Sequence, residues 1–515
     1  MPGQFPIIYV RGFAGDTGGI DKAVDDPLYG FNLGSTHVRI SGDGDPVFYQ
    51  FEGPLLRLVN DMGYHLFVHG DQDAFLDAQQ DGAVPPTSLW IHRFYDRSAT
   101  SWGREPRPFS VEDAAADLLR VITKVLRKTG APKVHLVAHS MGGLICRSLI
   151  QRVVPDLLAS RGDGRPDPLE ALGGPARAAD FVDSLFTYGT PHGGIRFDLG
   201  LGLLEALRDE FNLGGGDIFG RERMYEYLMP DALRGPDLPD SWDPRDNADE
   251  QNFPAARIFC LVGTNAEDYA AARGWSSRAV GVKSDGLVQV ENAMVTGANH
   301  AYVHRSHSGR FGLVNSEEGY QNLVRFLFGD VRVTADLVDL HLPDAERLTW
   351  QAETWVSIRQ LPVLMHAQKA AHHCPILIER PASADPGDRP IPLVTSYLWS
   401  QKTNGHPRMR YTINLRLVSL TERDHVFFWN DHTEGSADFD DYLVVDVEQR
   451  DTGLCAWATW GSDIRVPLRD YEANGPPLTD QDDTAGTWCV RIGMPACGRF
   501  LGDRAAVKLE VTSAA

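Results

Sequence analysis

In the first 330 residues the apolar positions fall in short continuous runs: PIIYV (6–10), SLWIHRFY (88–95), KVHLVA (133–138), SLFTYGT (184–190) and RIFCLV (257–262). These runs lack strict alternation, as expected of strands covered by helices on both faces. Between them the period lengthens. In VEDAAADLLRVITKVLRKTG (111–130), Ala114, Leu118, Val121, Ile122 and Val125 recur on one helical face. Ser110 precedes that helix as an N-cap, Glu112 and Asp113 fill its first turn, and Gly130 ends it. A second helix is expected over SEEGYQNLVRFLFG (316–329), with AMV (293–295) in the strand before it. Alternating β and α elements predict a mostly parallel sheet.

From about residue 331 the helical periods vanish. RVTADLVDLHL, PLVTSYLWS, MRYTINLRLVSL, YLVVDVE and AVKLEV show period two or β-branched and aromatic enrichment, with Gly, Pro and Asp between. The expected organisation is an α/β domain over 1–330 and an antiparallel, sandwich-like all-β domain over 331–515. The segments 161–180 and 236–251 read as surface insertions.

Composition narrows the function classes. The chain has 515 residues, too many for one ordinary domain, and 43% hydrophobic content, enough for a large core. A net charge of −21 argues against general affinity for nucleic acid or anionic membranes. The six cysteines show no CxxC spacing, so a thiolate zinc site is not expected; a Cys489–Cys497 disulfide is compatible with the spacing. No apolar run approaches the roughly 18 residues of a membrane span. The start, MPGQFPIIYVRGF, has no signal-peptide pattern, and a cytoplasmic location is the expectation.

The candidate chemistry centres on VHLVAHSMGGLICRSLIQ (134–151). Ser140 lies between a predicted strand and a predicted helix, with Ala138 and Gly142 two positions either side. A serine on so sharp a turn projects its hydroxyl above the sheet, and small neighbours prevent collisions. ATSWG (99–103) carries the same pattern around Ser101, without the flanking strand and helix. A serine nucleophile needs a histidine base and a carboxylate to orient it. His307 is the leading base, ahead of His304 and His300, because it lies nearest the closing helix. Asp285, in SDGLVQ, is the leading acid; Asp268 and Glu267 in GTNAEDY are the alternatives.

With these residues assembled, the first 330 residues resemble a bacterial lipase/esterase of the α/β-hydrolase superfamily. PIIYVRGFAG is similar to the family's opening strand and His-Gly segment, AHSMGG to its alanine-bearing elbow, and YGTPHGG to the strand end that follows. SDGLV and the later HSG are similar to its acid and base segments. The resemblance implies a Ser140–His307–Asp285 triad and an oxyanion hole from the backbone N–H groups of Phe13 and Met141. It also implies cleavage of a small-molecule ester or lipid through an acyl-enzyme, with no cofactor or metal. Arg11, His139 and His192 are candidate substrate-binding residues. Arg11 replaces the family's histidine, and either an internal ion pair or an anionic substrate would suit it. An amidase or acyltransferase would use the same triad, and a non-catalytic lipid-binding scaffold could share the fold.

Between about 195 and 256 lies a cap-like insertion, with helices expected at LGLLEALRDEF (201–211) and RERMYEYLMP (221–230). It reads equally as a lid or as packing decoration. In the β domain, SYLWS, FFWND and CAWATW read as sandwich core or as a binding surface. The acidic SADFDD (436–441) reads as a solvated turn, with calcium as the alternative.

Overall fold

The computed structural model describes all residues except 1–3, 13–16, 27–28, 30–35, 41–45, 51–52, 68–70, 101–107, 162–166, 196–217, 268–282, 310, 342–347, 379–389, 422–433, 452, 483, 485, 496–497, 499–500 and 514–515. It divides into two compact units, residues 3–300 with 305–323 and residues 301–304 with 324–515.

The first unit is built on strands β1 (Ile7–Val10), β4 (His65–Phe67), β5 (Ser88–Ile91), β6 (Val134–His139), β7 (Val182–Tyr188), β8 (Ile258–Gly263) and β9 (Asn299–Val303). They form one sheet in the order β4-β5-β1-β6-β7-β8-β9. Every neighbouring pair from β4 to β8 is parallel. A separate antiparallel pair, β2 (Thr36–Ile40) and β3 (Pro46–Gln50), follows the first strand. The helices are α1 (Thr17–Asp25), α2 (Pro54–Met62), α3 (Gln72–Ala78), α4 (Val111–Thr129), α5 (Met141–Ser148), α6 (Val154–Ala159), α7 (Arg221–Leu228) and α8 (Glu317–Phe328), of which α8 counts with the second unit from Val324 onward. Strands β1, β5 and β8 are buried along their whole length, which explains their unbroken apolar runs. This is the α/β-hydrolase arrangement.

The local signals of α4 hold in detail. Ser110 Oγ accepts the Asp113 N–H at 3.1 Å. Gly130 takes the left-handed conformation, φ 67°, and returns its N–H to the Leu126 carbonyl at 2.8 Å. All five residues of the predicted apolar stripe are buried. By contrast, AMV is not a strand. Ala293 and Val295 are buried, yet Val290–Asn292 is a 3₁₀ turn and β9 starts only at Asn299. The Asn299 amide donates to the carbonyls of Ala256 (2.7 Å) and Ile258 (3.1 Å), which sets where the last strand begins. An apolar triplet reports burial and not extension.

The second unit consists of antiparallel strands: β10 (Val331–Val338), β11 (Leu348–Ile358), β12 (Leu364–Gln368), β13 (Ile376–Ile378), β14 (Ile391–Leu398), β15 (Met409–Thr421), β16 (Glu434–Arg450), β17 (Gly453–Trp460), β18 (Thr487–Gly493) and β19 (Ala506–Ser513). One sheet runs β14-β10-β19-β18 and the other β12-β11-β15-β16-β17, with β13 also on β11. Residues from both sheets, among them Val333, Leu509, Leu417 and Val445, share one apolar core. Tyr397, Trp399, Trp457 and Trp460 are buried, so SYLWS and CAWATW build structure; FFWND lies outside the described residues. SADFDD is no loop but part of β16, where Asp438 accepts the Ser419 N–H at 2.8 Å and Asp441 that of Tyr442 at 2.8 Å. Among the described residues no cluster of His, Cys, Asp or Glu is suited to a metal ion, and no helix is long and apolar enough to cross a membrane. Cys489 is a free thiol, and Cys497 lies outside the described residues.

Replacing Ser110 by alanine removes the α4 cap and is expected to cost about 1 kcal/mol of stability. A urea unfolding curve with unchanged slope and lower midpoint checks this.

Candidate active site

The turn between β6 and α5 carries Ser140, whose backbone adopts φ 54°, ψ −129°. An L-residue pays roughly 1–3 kcal/mol for such a conformation, so surrounding contacts must hold it. Its N–H donates to the Tyr188 carbonyl at 2.9 Å, and its own carbonyl accepts from Thr190 Oγ1 at 2.8 Å. A Cβ added to Gly142 would stand 2.2 Å from the Val10 carbonyl oxygen, so only glycine lets α5 start this close to β1. On the other side Gly12 is pressed against the serine itself, with an added Cβ only 2.6 Å from Ser140 Cβ. Met141 opens α5, and the N–H groups of a first helical turn have no intrahelical acceptor.

Three sequence candidates meet here. His307 Nε2 lies 2.9 Å from Ser140 Oγ, and His307 Nδ1 lies 2.8 Å from Asp285 Oδ2. Ser140, His307 and Asp285 are 4%, 2% and 1% exposed, so water competes little for these bonds. Asp285 sits in a tight turn in which its Oδ1 accepts the N–H groups of Leu287 (3.0 Å) and Val288 (2.8 Å). That leaves Oδ2 to the histidine. The His307 N–H donates to the Asp285 carbonyl at 2.8 Å, which ties the two loops together. A carboxylate at Nδ1 requires the proton there, so the Nε2 lone pair faces the serine hydroxyl.

The alternatives lie elsewhere. His300 is in β9 and bonds its ring to the Ala298 carbonyl at 3.4 Å. His304 stacks on His372 at 4.0 Å. Glu267 is exposed. Phe13, Ser101 and Asp268 lie outside the described residues.

The three candidate substrate-binding residues behave differently from expectation. His139 Nε2 donates to the His307 carbonyl at 3.0 Å, and the two rings stand 5.0 Å apart. It therefore positions the base. Desolvation, then the neighbouring His307, lowers its pKa to about 3. His192 is completely buried, with Nε2 3.2 Å from Thr187 Oγ1, and is part of the core and not of an open cleft. Arg11 has no carboxylate within ion-pair distance among the described residues, although Asp26 attracts it from further away. Its guanidinium lies 5.6 Å from the Tyr29 ring, its Nη1 is buried without a hydrogen bond, and desolvation lowers its pKa.

Two contributors escaped the sequence reading. Thr190 supports the serine turn, and TPHGG beside the elbow was its only signal. Arg147, completely buried on α5, donates to the carbonyls of Pro244 (2.8 Å) and Asp246 (2.9 Å) and to Gln151 Oε1 (3.1 Å). It pins the insertion to the elbow helix. Glu112 adds a second anchor, accepting from Arg223 of α7 through both oxygens at 2.6 Å. The described part of the insertion, 218–256, is thus a fixed wall; 201–211 lies outside the described residues.

Residues 66–311 match the alpha/beta hydrolase family. A Variovorax paradoxus (strain S110) protein provisionally named carbamate hydrolase RutD is 28% identical over 158 residues, 28% of this chain. The chain spans about half, 51%, of that relative's length. Among solved structures, Bacillus licheniformis lipase BlEst2 in mature form is 14% identical with a TM-score of 0.32, covering 64% of this chain and 92% of its own. Aspergillus fumigatus lipase B is 11% identical with a TM-score of 0.29, covering 63% and 52%. Likenesses at this level carry no argument about substrate.

Two stability predictions follow from the site. Ser140→Gly relieves the positive φ and is expected to raise stability by about 1 kcal/mol while removing the hydroxyl, measured by urea unfolding. His92, held at about 4 by burial, and His192, held well below its ordinary value by burial, stay neutral when folded. The unfolded chain protonates them near pH 6.5, so stability is present above that pH and lost as pH falls through it. Each contributes up to about 1.4 kcal/mol per pH unit. Urea midpoints between pH 7 and pH 5 read the loss.

Proposed function

We propose that this protein, whose residues 66–311 match the alpha/beta hydrolase family, is a serine hydrolase cleaving carboxylic esters, lipid esters included, through an acyl-enzyme. The observation that carries the reading is the pair of bonds at His307, 2.9 Å to Ser140 Oγ and 2.8 Å to Asp285 Oδ2. A buried serine–histidine–carboxylate relay has a direct chemical use. His307 Nε2 takes the Ser140 proton as Oγ attacks the ester carbonyl, and the Asp285 carboxylate stabilises the imidazolium that forms. The Met141 N–H, at the positive end of α5, faces the developing oxyanion, with Phe13 N–H as the second proposed donor. Each such donor is typically worth about 10²–10³ in rate. The imidazolium then protonates the leaving alcohol, and water activated by the same ring releases the acid.

His139 serves this cycle as a positioning residue. It remains neutral down to about pH 3. A neutral ring donates one hydrogen bond to the His307 carbonyl without placing a second positive charge beside the base. The name of the carbamate hydrolase relative favours a second reading, attack of the same serine on a carbamate. A carbamate carries nitrogen where an ester carries the acyl carbon, so loss of its alcohol leaves a carbamoyl-enzyme in place of an acyl-enzyme, and water then releases the carbamic acid.

The test is hydrolysis of p-nitrophenyl esters of graded acyl length, beside a p-nitrophenyl carbamate, by the intact chain and by Ser140→Ala. The expected result is turnover lowered by about 10³-fold or more in the variant, with labelling by a serine-reactive phosphonate lost. Unchanged turnover in Ser140→Ala would overturn the assignment. Faster turnover of the carbamate than of every ester would favour the second reading.

A further inference from the structure

The second unit contains a cleft that ester hydrolysis does not use. Five cations line it, Arg325, Arg359, Lys402, Arg408 and Arg410, and no acidic residue does. In a chain of net charge −21 such a concentration calls for a physical reason. Two of the five are neutralised. Arg410 makes a two-pronged pair with Asp446 at 2.7 and 2.8 Å, and Arg408 bonds Glu448 at 3.3 Å.

The other three are not. Among the described residues no carboxylate stands within ion-pair distance of Arg325, Arg359 or Lys402. Arg325, on α8, is only 5% exposed, and its Nε is buried without a hydrogen-bond partner. Burial alone lowers its pKa to about 10, with no opposing charge to restore it. Arg147 in the first unit shows what a structural buried arginine looks like, with backbone carbonyls and a side-chain amide receiving its donors. Arg325 has no such set. Arg359 is also lowered, by desolvation and then by its neighbour Arg410, which outweigh the more distant attraction of Asp446 and Glu472. A buried cation without a partner is strongly unfavourable, and a bound anion removes the penalty.

We propose that this cleft is an anion-binding site that takes a phosphate group. Three cations without a direct ion-pair partner exceed what one carboxylate can neutralise, whereas a phosphate dianion offers two charges and several oxygens to guanidinium forks. The cleft holds about 20 Å³ of inner space, room for one oxygen-sized group. Arg359 and the exposed Lys402, whose Nζ stands 5.3 Å from the Trp399 ring, line the same cleft and supply the further donors. A free phosphate and a phospholipid headgroup present the same chemistry.

The test uses the full chain with inorganic phosphate, read by thermal unfolding and by titration calorimetry at ionic strength held constant with chloride. Phosphate is expected to raise Tm and to bind one per chain. Arg359→Gln and Lys402→Gln are each expected to weaken binding by about tenfold. Arg325→Met is expected to abolish the phosphate-dependent shift and to raise Tm in phosphate-free buffer, since the buried charge is gone. Should that variant not fold, the double variant Arg359→Gln/Lys402→Gln carries the test. In a second arm, vesicles of phosphatidylcholine with and without phosphatidic acid are co-sedimented with the chain. Capture that depends on phosphatidic acid and is lost in the variants assigns the lipid headgroup; phosphate binding without capture assigns a soluble phosphate. The proposal is overturned if phosphate acts no differently from chloride and the vesicles capture nothing. It is equally overturned if binding survives every substitution.

Discussion

The first unit depends on how closely the chain can approach itself at Ser140. A residue with φ 54° has no intrinsic reason to stay there. It is held because β1 crosses directly over Gly142, because Thr190 and Tyr188 take up both polar groups of the serine backbone, and because Gly12 leaves no room beside its Cβ. The contacts come from the ends of two strands, β1 and β7, on either side of β6. The sheet order β1-β6-β7 is what brings them to one point. The strain is localised on one residue, and the surrounding packing is what sustains it.

The same unit buries polar groups on a second tier, beneath and beside the elbow. Arg147 gives up hydration to hold the 243–247 segment through backbone carbonyls, and His192 gives it up to bond Thr187. Such groups are costly if left unpaired and stabilising when satisfied, so they rigidify what they join. This explains why the described half of the insertion is a wall. His139 belongs to the same tier, since its bond to the His307 carbonyl ties β6 to the loop that carries the base.

In the second unit most of the buried charges are paired, although Arg325 Nε, Arg332 Nε, Ser396 Oγ, Tyr411 Oη and Arg416 Nε have no hydrogen-bond partner. Asp446, Glu448, Asp438 and Asp441 all have donors, and Trp460, one of the tryptophans that suggested a binding surface, belongs to the core shared by the two sheets. Arg325 stands out against that background because its neighbours supply nothing for its guanidinium.

Features set by nearest neighbours could be read from the chain. The β/α alternation, the change to period two near residue 331, the Ser110 and Gly130 caps of α4 and the small residues around Ser140 are all local, because propensity, capping and steric room act over a few positions. The choice among His300, His304 and His307, or between Asp285 and Asp268, is not local. It depends on where β9 begins, and that is set by Asn299 bonding to carbonyls more than forty residues away. Arg147, Thr190 and Arg325 looked ordinary in the sequence for the same reason. Whether a polar side chain is a surface charge, a structural bolt or an unpaired ion depends on what burial places around it, and the tertiary structure alone decides that.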